Sequence, residues 1–291
     1  MPRDAARVLI QVLLCAACNG GASDASGGGG GGTGADGGAG GGVVPPLPAA
    51  PADCPEIKTG SVTVLGTEAE LWVGPANTPG PIVFYWYGVS SSSAEAAFGL
   101  GVGLSEIQAS GGVLVAFKSS TRTGDDTGGN LWFTGDFALA DAILACAVEQ
   151  GVADPRRIYS AGCSAGGIQA SVMAYARSSY VAAVMPNSGG TLFEYTLEDP
   201  NHVPAVISAH GGPEDKILVP FSETTAHFDA DIVEKGGFAV DCDHGKLHCA
   251  SPAALKNAQW SFLKAHPFGT SPSPYADGLP ADFPPICRIV R

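Results

Sequence analysis

The sequence predicts an α/β domain: a mostly parallel β-sheet, entered through antiparallel strands and covered by helices on both faces. Two observations predict it. Short apolar runs closed by glycine or a polar turn alternate with longer stretches of helical spacing, and such alternation buries a parallel sheet between helical layers. The first two apolar runs have only a glycine turn between them, too little for a crossover helix, so they pair antiparallel.

The elements follow in order. SVTVLGT and AELWVG form the opening pair. PIVFYWYG and GVLVAFKS come next, then RIYSAG, AAVMPNSG, AVISAHG and GGFAVDCDH, each short and apolar enough for a buried strand. Helices are expected over 93–110, 134–151, 165–179, 218–235 and 253–266. This is the element order of the α/β-hydrolase fold.

What precedes the domain has a different composition. Residues 1–18 begin with Arg3 and Arg7, continue into VLIQVLLCAA and stop at Cys18, which reads as an export signal too short to span a bilayer. Ala16 and Ala17 before Cys18 resemble the lipobox of bacterial lipoproteins, which implies a lipid on Cys18; Cys15 stands where that pattern prefers leucine. Residues 19–52 are rich in Gly, Ala, Ser and Pro and read as a disordered tether. Residues 53–291, about 240, suit one domain with a substantial core. Setting Arg3, Arg7, Asp4, Asp24 and Asp36 aside, the domain keeps 13 of the 15 basic and 25 of the 28 acidic residues. An acidic balance of that size excludes nucleic acid as a partner.

Residues 162–167 read GCSAGG. With 41 glycines in 291 residues, chance alone supplies about half a G-x-S-x-G, so the spacing proves little by itself. Its context says more. The stretch follows the strand RRIYSAG and precedes IQASVMAYA, where Ile168, Val172 and Tyr175 fall at helical spacing, so Ser164 lies on a strand-to-helix turn. Such a turn holds a nucleophile in a strained backbone and needs small neighbours, here Gly162, Ala165 and Gly166.

A serine hydroxyl is a weak nucleophile until a base takes its proton and an acid orients that base. Asp215 follows the strand AVISAHG, with Glu214 as the other carboxylate of that loop, and His248 follows the next strand on an outlying loop, with His244 nearer the strand end. His202, His210, His227 and His266 read as packing or helical residues. Backbone amides of Ala165 and Val89 are the expected oxyanion donors. Trp86, Tyr87, Trp132 and Phe133 either line an aromatic cleft or pack the core, the latter for at least half of them.

From about Pro81 to Phe268 the chain resembles secreted α/β-hydrolase esterases of the polyhydroxybutyrate depolymerase-like and feruloyl esterase group. The resemblance is carried by DPRRIYSAGCSAGG, AAVMPNSGG, HGGPEDKILVP, HGKLHC and QWSFLKAHPFG. It implies Ser164 as nucleophile, Asp215 as acid and His248 as base. It departs at Tyr87-Gly88, where that group has His-Gly, a change that a backbone oxyanion donor tolerates.

The expected function is hydrolysis of a carboxylic ester, feruloylated or acetylated polysaccharide or a short polyester, at the cell surface or outside the cell. It needs no cofactor or metal, and the membrane enters only through a lipid on Cys18. Two other readings stand beside it. CDHGKLHC offers zinc the donors Cys242, His244, His248 and Cys249, and the fold could serve a binding lipoprotein without catalysis.

Beyond the signal lie Cys54, Cys146, Cys163, Cys242, Cys249 and Cys287, an even number that favours disulfides in an exported chain. Cys163 precedes Ser164 and Cys249 follows His248, as in the CS-D-HC motif of tannases and some feruloyl esterases. That resemblance implies a Cys163–Cys249 bridge, which a working triad would permit. It covers the motif only, since those proteins carry a large lid for which this chain is too short. Otherwise Cys163 is a small buried residue and Cys249 pairs with Cys242. Cys54 and Cys287, near the two ends of the domain, are expected to pair.

Overall fold

Val62 and Val64 of β1 (Gly60–Val64) and Thr67, Ala69 and Leu71 of β2 (Thr67–Val73) are buried, and the strand residues alternating with them are exposed or half-buried, the period of strands with one covered face. Leu65 and Gly66 turn between them with φ of 47° and 79°, the left-handed pair that a two-residue hairpin needs. The computed structural model describes residues 43–75, 78–121 and 132–291. The expected export signal, Cys18 and most of the expected tether therefore lie outside the described residues, as does most of the loop before Phe133. Residues 43–52, the described end of the expected tether, have no helix or strand, yet Pro45 is buried and Leu47 packs against the core.

The later strands are buried along their whole lengths, as strands covered on both faces must be: β3 (Gly80–Trp86), β4 (Val113–Phe117), β6 (Ala183–Asn187) and β7 (Ala205–His210). With β5 (Ala153–Cys163) and β10 (Ala239–Asp243) they form the parallel part of a nine-stranded sheet ordered β1-β2-β4-β3-β5-β6-β7-β10-β11. β2 joins β4 antiparallel, and β11 (Cys287–Ile289) closes the far edge antiparallel to β10. A small antiparallel pair, β8 (Lys216–Ile217) and β9 (Val219–Pro220), stands apart in the loop after β7.

Helices α3 (Phe137–Glu149), α4 (Ala165–Ala176), α5 (Phe221–Glu234) and α6 (Ala253–Ala265) match four expected ones to within a few residues and cover the sheet. The fifth, 93–110, is two short helices, α1 (Glu95–Gly99) and α2 (Gly103–Ala109). Gly101 at φ 59° breaks the run. A side chain at Gly99 would meet Tyr85 Oη at 2.3 Å, so only glycine lets the end of α1 approach β3 this closely. From β3 the strand order runs outward in both directions, through β4 on one side and β5 on the other, and such a switch point opens a crevice at the carboxyl ends of the strands. No helix among the described residues is long and apolar enough to cross a membrane.

Three disulfides join the described cysteines, a pattern of exported proteins. Cys163 is bridged to Cys249, with Cα atoms 5.9 Å apart. The expected Cys54–Cys287 pair is corrected: Cys287 faces Cys242 across the β10–β11 register and bonds to it, while Cys54 bonds to Cys146 on α3. The N-terminal segment runs along the end of that helix, where Gln150 donates to Pro55 O and accepts from the Ile57 amide. Proximity of the chain ends was therefore the wrong guide; strand register and helix contact decide.

Candidate active site

β5 delivers Ser164 to the switch point in a backbone of φ 59°, ψ −120°, uncommon for any residue with a side chain, and α4 begins at the next residue. The glycines around it are required by close neighbours. A Cβ on Gly166 would lie 1.7 Å from Trp86 O, one on Gly162 2.4 Å from Gly166 O, and one on Gly167 2.5 Å from Asn187 O. The Ser164 amide donates to Asn187 O at 3.0 Å, tying the turn to the end of β6. Gly88 backs onto Ser164, its own missing Cβ site 3.3 Å from Ser164 Cβ, and its amide donates to Glu95 Oε2 at 3.3 Å.

On the loop after β7, Asp215 is buried while Glu214 is exposed. His248 Nδ1 lies 2.6 Å from Asp215 Oδ1, and with the carboxyl ionised the ring nitrogen is the donor. Asp215 Oδ2 accepts from Ser188 Oγ at 2.7 Å and from the Gly211 amide at 2.9 Å. Burial alone would raise the Asp215 carboxyl, but the hydrogen bonds from His248, Gly211 and Ser188 outweigh it and hold the group below its ordinary value. That keeps the acid ionised at neutral pH.

His248 Nε2, the nitrogen left over, is buried without a hydrogen-bond partner among the described residues. A His248 ring nitrogen lies within 4.8 Å of both Cys163 Sγ and Cys249 Sγ, so the ring stands beside the elbow. Phe221 packs on the ring with centroids 4.7 Å apart. The structure thus pairs His248 with Asp215 and sets the His248 ring beside Cys163, the residue before Ser164. His244 is buried, accepts the Lys246 amide and does not meet Asp215 by hydrogen bond; burial pushes its pKa down. His210 pairs with Asp241, 3.1 Å away, His202 Nδ1 meets Ser178 O, His266 Nδ1 meets Phe262 O of α6, and His227 lies on α5.

The zinc reading loses two of its four donors, because Cys242 and Cys249 are consumed in separate disulfides. The aromatic expectation resolves toward packing: Trp86, Tyr87 and Trp132 are buried, with Trp86 and Trp132 edge to face at 5.1 Å and the Trp132 indole donating to Tyr87 O at 2.9 Å. Only Phe133 of the four is partly exposed.

Sequence reasoning missed Glu95, Asn187 and Ser188. Glu95 accepts from Tyr85 Oη and the Gly88 amide, clamping the end of β3, and Asn187 Oδ1 accepts from Gln259 Nε2 at 2.8 Å. Glu95 sits within the expected helix and reads there as a surface charge; NSGG reads as a turn.

Among solved structures, native pOPH superposes with a TM-score of 0.62 at 17% identity, covering 83% of this chain and 96% of that one. Native sOPH gives 0.59 at 16%, covering 82% and 96%, and a thermostable esterase from Pseudomonas putida ECU1011 gives 0.51 at 16%, covering 72% and 83%. No protein-family model and no curated protein sequence matches the chain. At these identities the likeness is one of architecture, and the chain has the α/β-hydrolase fold.

Proposed function

We propose that this protein is an exported serine esterase in which Ser164 is the nucleophile, His248 the base and Asp215 the acid. The carrying observation is that the Asp215–His248 pair stands beside a strained serine elbow and is fastened to it by the Cys163–Cys249 bridge. The fold it shares with a thermostable esterase supports the same reading.

In the proposed reaction Ser164 Oγ attacks the ester carbonyl and its proton passes to His248 Nε2. The oxyanion rests on the Ala165 amide, first of α4, and on the Val89 amide; the Gly88 amide is already taken by Glu95. Collapse breaks the bond to the alcohol oxygen, which leaves with the proton from His248. Water then attacks the acyl-enzyme, giving its proton to His248, and Ser164 is restored as the acid departs. Removing one oxyanion donor would cost about 3 kcal/mol in the transition state. The substrates that fit this chemistry are feruloyl or acetyl esters of polysaccharide and short polyesters. The working place is the cell surface, by a lipid on Cys18, or the medium.

Hydrolysis of p-nitrophenyl acetate tests the assignment. Ser164→Ala and His248→Ala are each expected to lower kcat by about 10⁴-fold or more, while His244→Ala keeps most of the activity. Full activity in His248→Ala, with loss in His244→Ala, would overturn the choice of base.

A further inference from the structure

Asn187 and Ser188 close β6, between the elbow on one side and the acid loop on the other. Ser188 is completely buried. Its φ of 43° is one a non-glycine residue seldom adopts, and its own amide is held by Ala209 O at 2.7 Å. Such a conformation persists only where surrounding structure enforces it. Its hydroxyl makes two bonds of opposite sense: it donates to Asp215 Oδ2 at 2.7 Å and accepts from the Cys249 amide at 3.1 Å. One serine oxygen therefore touches both the acid and the residue directly after His248.

The bonding leaves little freedom. The single hydroxyl proton is committed to a carboxylate, the more strongly bound of its options, so the oxygen's lone pair faces the Cys249 amide. Asp215 Oδ2 is thereby occupied by Ser188 and Gly211, and Oδ1 is left for His248. The Cys249 amide, on a residue at φ 56°, is fixed at the point where the His248 loop turns back. The disulfide fastens that loop through a side chain, and Ser188 fastens it through the backbone on the other side.

We infer that Ser188 is the positioning residue of this site: its hydroxyl sets which carboxylate oxygen of Asp215 meets His248 and holds the His248 loop in register with the acid. It acts through those two neighbours and touches no substrate. The kinetic part of this inference rests on the esterase reading above.

Ser188→Gly tests it, because glycine removes the hydroxyl while accepting the left-handed backbone without strain, so folding is retained. Ser188→Ala removes the same hydroxyl but keeps a Cβ at φ 43°. Both are compared with the parent and with Ser164→Ala by p-nitrophenyl acetate kinetics across pH, thermal melting, and an NMR titration of the His248 ring. Without the Ser188 hydrogen bond the Asp215 charge is less neutralised and favours the protonated ring more, so the titration of His248 and the acid limb of kcat/KM are expected to move to higher pH. The other titratable groups around the pair, His244 and Lys246 on the same loop and His210 and Asp243 at the strand ends, are the same in every variant. In Ser188→Gly we expect kcat to fall about ten- to hundredfold, the loss of one hydrogen bond to a charged group, with KM little changed.

A Ser188→Gly variant with the parent's kcat and an unmoved His248 titration would overturn the inference. So would a loss of kcat that only follows a loss of Tm, with the titration unmoved. If the parent hydrolyses no ester and is indistinguishable from Ser164→Ala, the esterase reading fails instead, and the NMR titration still decides whether Ser188 governs the pair.

Discussion

Gly162, Gly166 and Gly167 form a turn in which three residues have no room for a side chain and the serine among them has an unusual backbone. The sequence made two of these glycines legible, through G-x-S-x-G, because the reason is local to the turn. Gly167 was not, since what it needs is clearance from Asn187 O on the neighbouring strand. The difference can be measured. Gly166→Ala would drive a methyl to 1.7 Å from Trp86 O and is expected to destabilise the protein by about 4 kcal/mol or more, or to prevent folding. Gly236→Ala meets nothing within 4 Å and suffers only its φ of 87°, for about 1 kcal/mol. Equal melting temperatures for the two would contradict the packing account. The same limit explains Ser188: a small polar residue before two glycines reads as a turn, and nothing in the chain shows that Asp215, 27 residues on, will accept its hydroxyl.

At the scale of elements, the sequence carried the strand and helix order well, because each is a local apolar pattern. It missed the break at Gly101 and the closing strand β11, whose three residues are too few to show a period. Disulfide pairing followed the same division. The Cys163–Cys249 bridge was legible beside two expected catalytic residues, whereas Cys242–Cys287 depends on a strand that was not foreseen. Opening the first bridge with Cys163→Ala and Cys249→Ala releases a loop of sequence separation 86, and the chain-entropy model expects a loss of about 4–5 kcal/mol. Because the bridge ties the His248 loop to the elbow, activity is expected to fall at temperatures where circular dichroism still reports a folded domain. Activity and ellipticity that decline together on heating would show that the bridge serves stability alone.

Across the whole molecule, the sheet order follows from alternating elements, but the buried polar interior does not. Asp229 on α5 is completely buried, accepting from Ser208 Oγ at 2.6 Å. Burial above all, and then the Asp241 charge, raises its carboxyl pKa well above the usual value. Asp215 and Asp241 are held low instead, burial being outweighed for Asp241 by His210 and Arg288. The two kinds of group act on stability in opposite directions. A raised carboxyl gives stability that is fully present below its unfolded pKa of about 3.9 and is lost as pH rises through the folded value. The lowered ones contribute above that unfolded pKa and lose their contribution as pH falls through their folded values. Asp229→Asn, which retains an acceptor for Ser208, is therefore expected to raise Tm increasingly from pH 4 to pH 8. A uniform or negative change over that range would contradict a protonated Asp229.

The central claim is that Ser164 is an activated nucleophile, and a fluorophosphonate probe tests it most directly because it reacts with such a serine whatever the natural substrate is. Folded parent protein is incubated with the probe, digested and mapped by mass spectrometry. The account predicts one adduct, on Ser164, lost in Ser164→Ala and strongly slowed in His248→Ala. A folded parent that takes no label, or takes it on a residue other than Ser164, would contradict it.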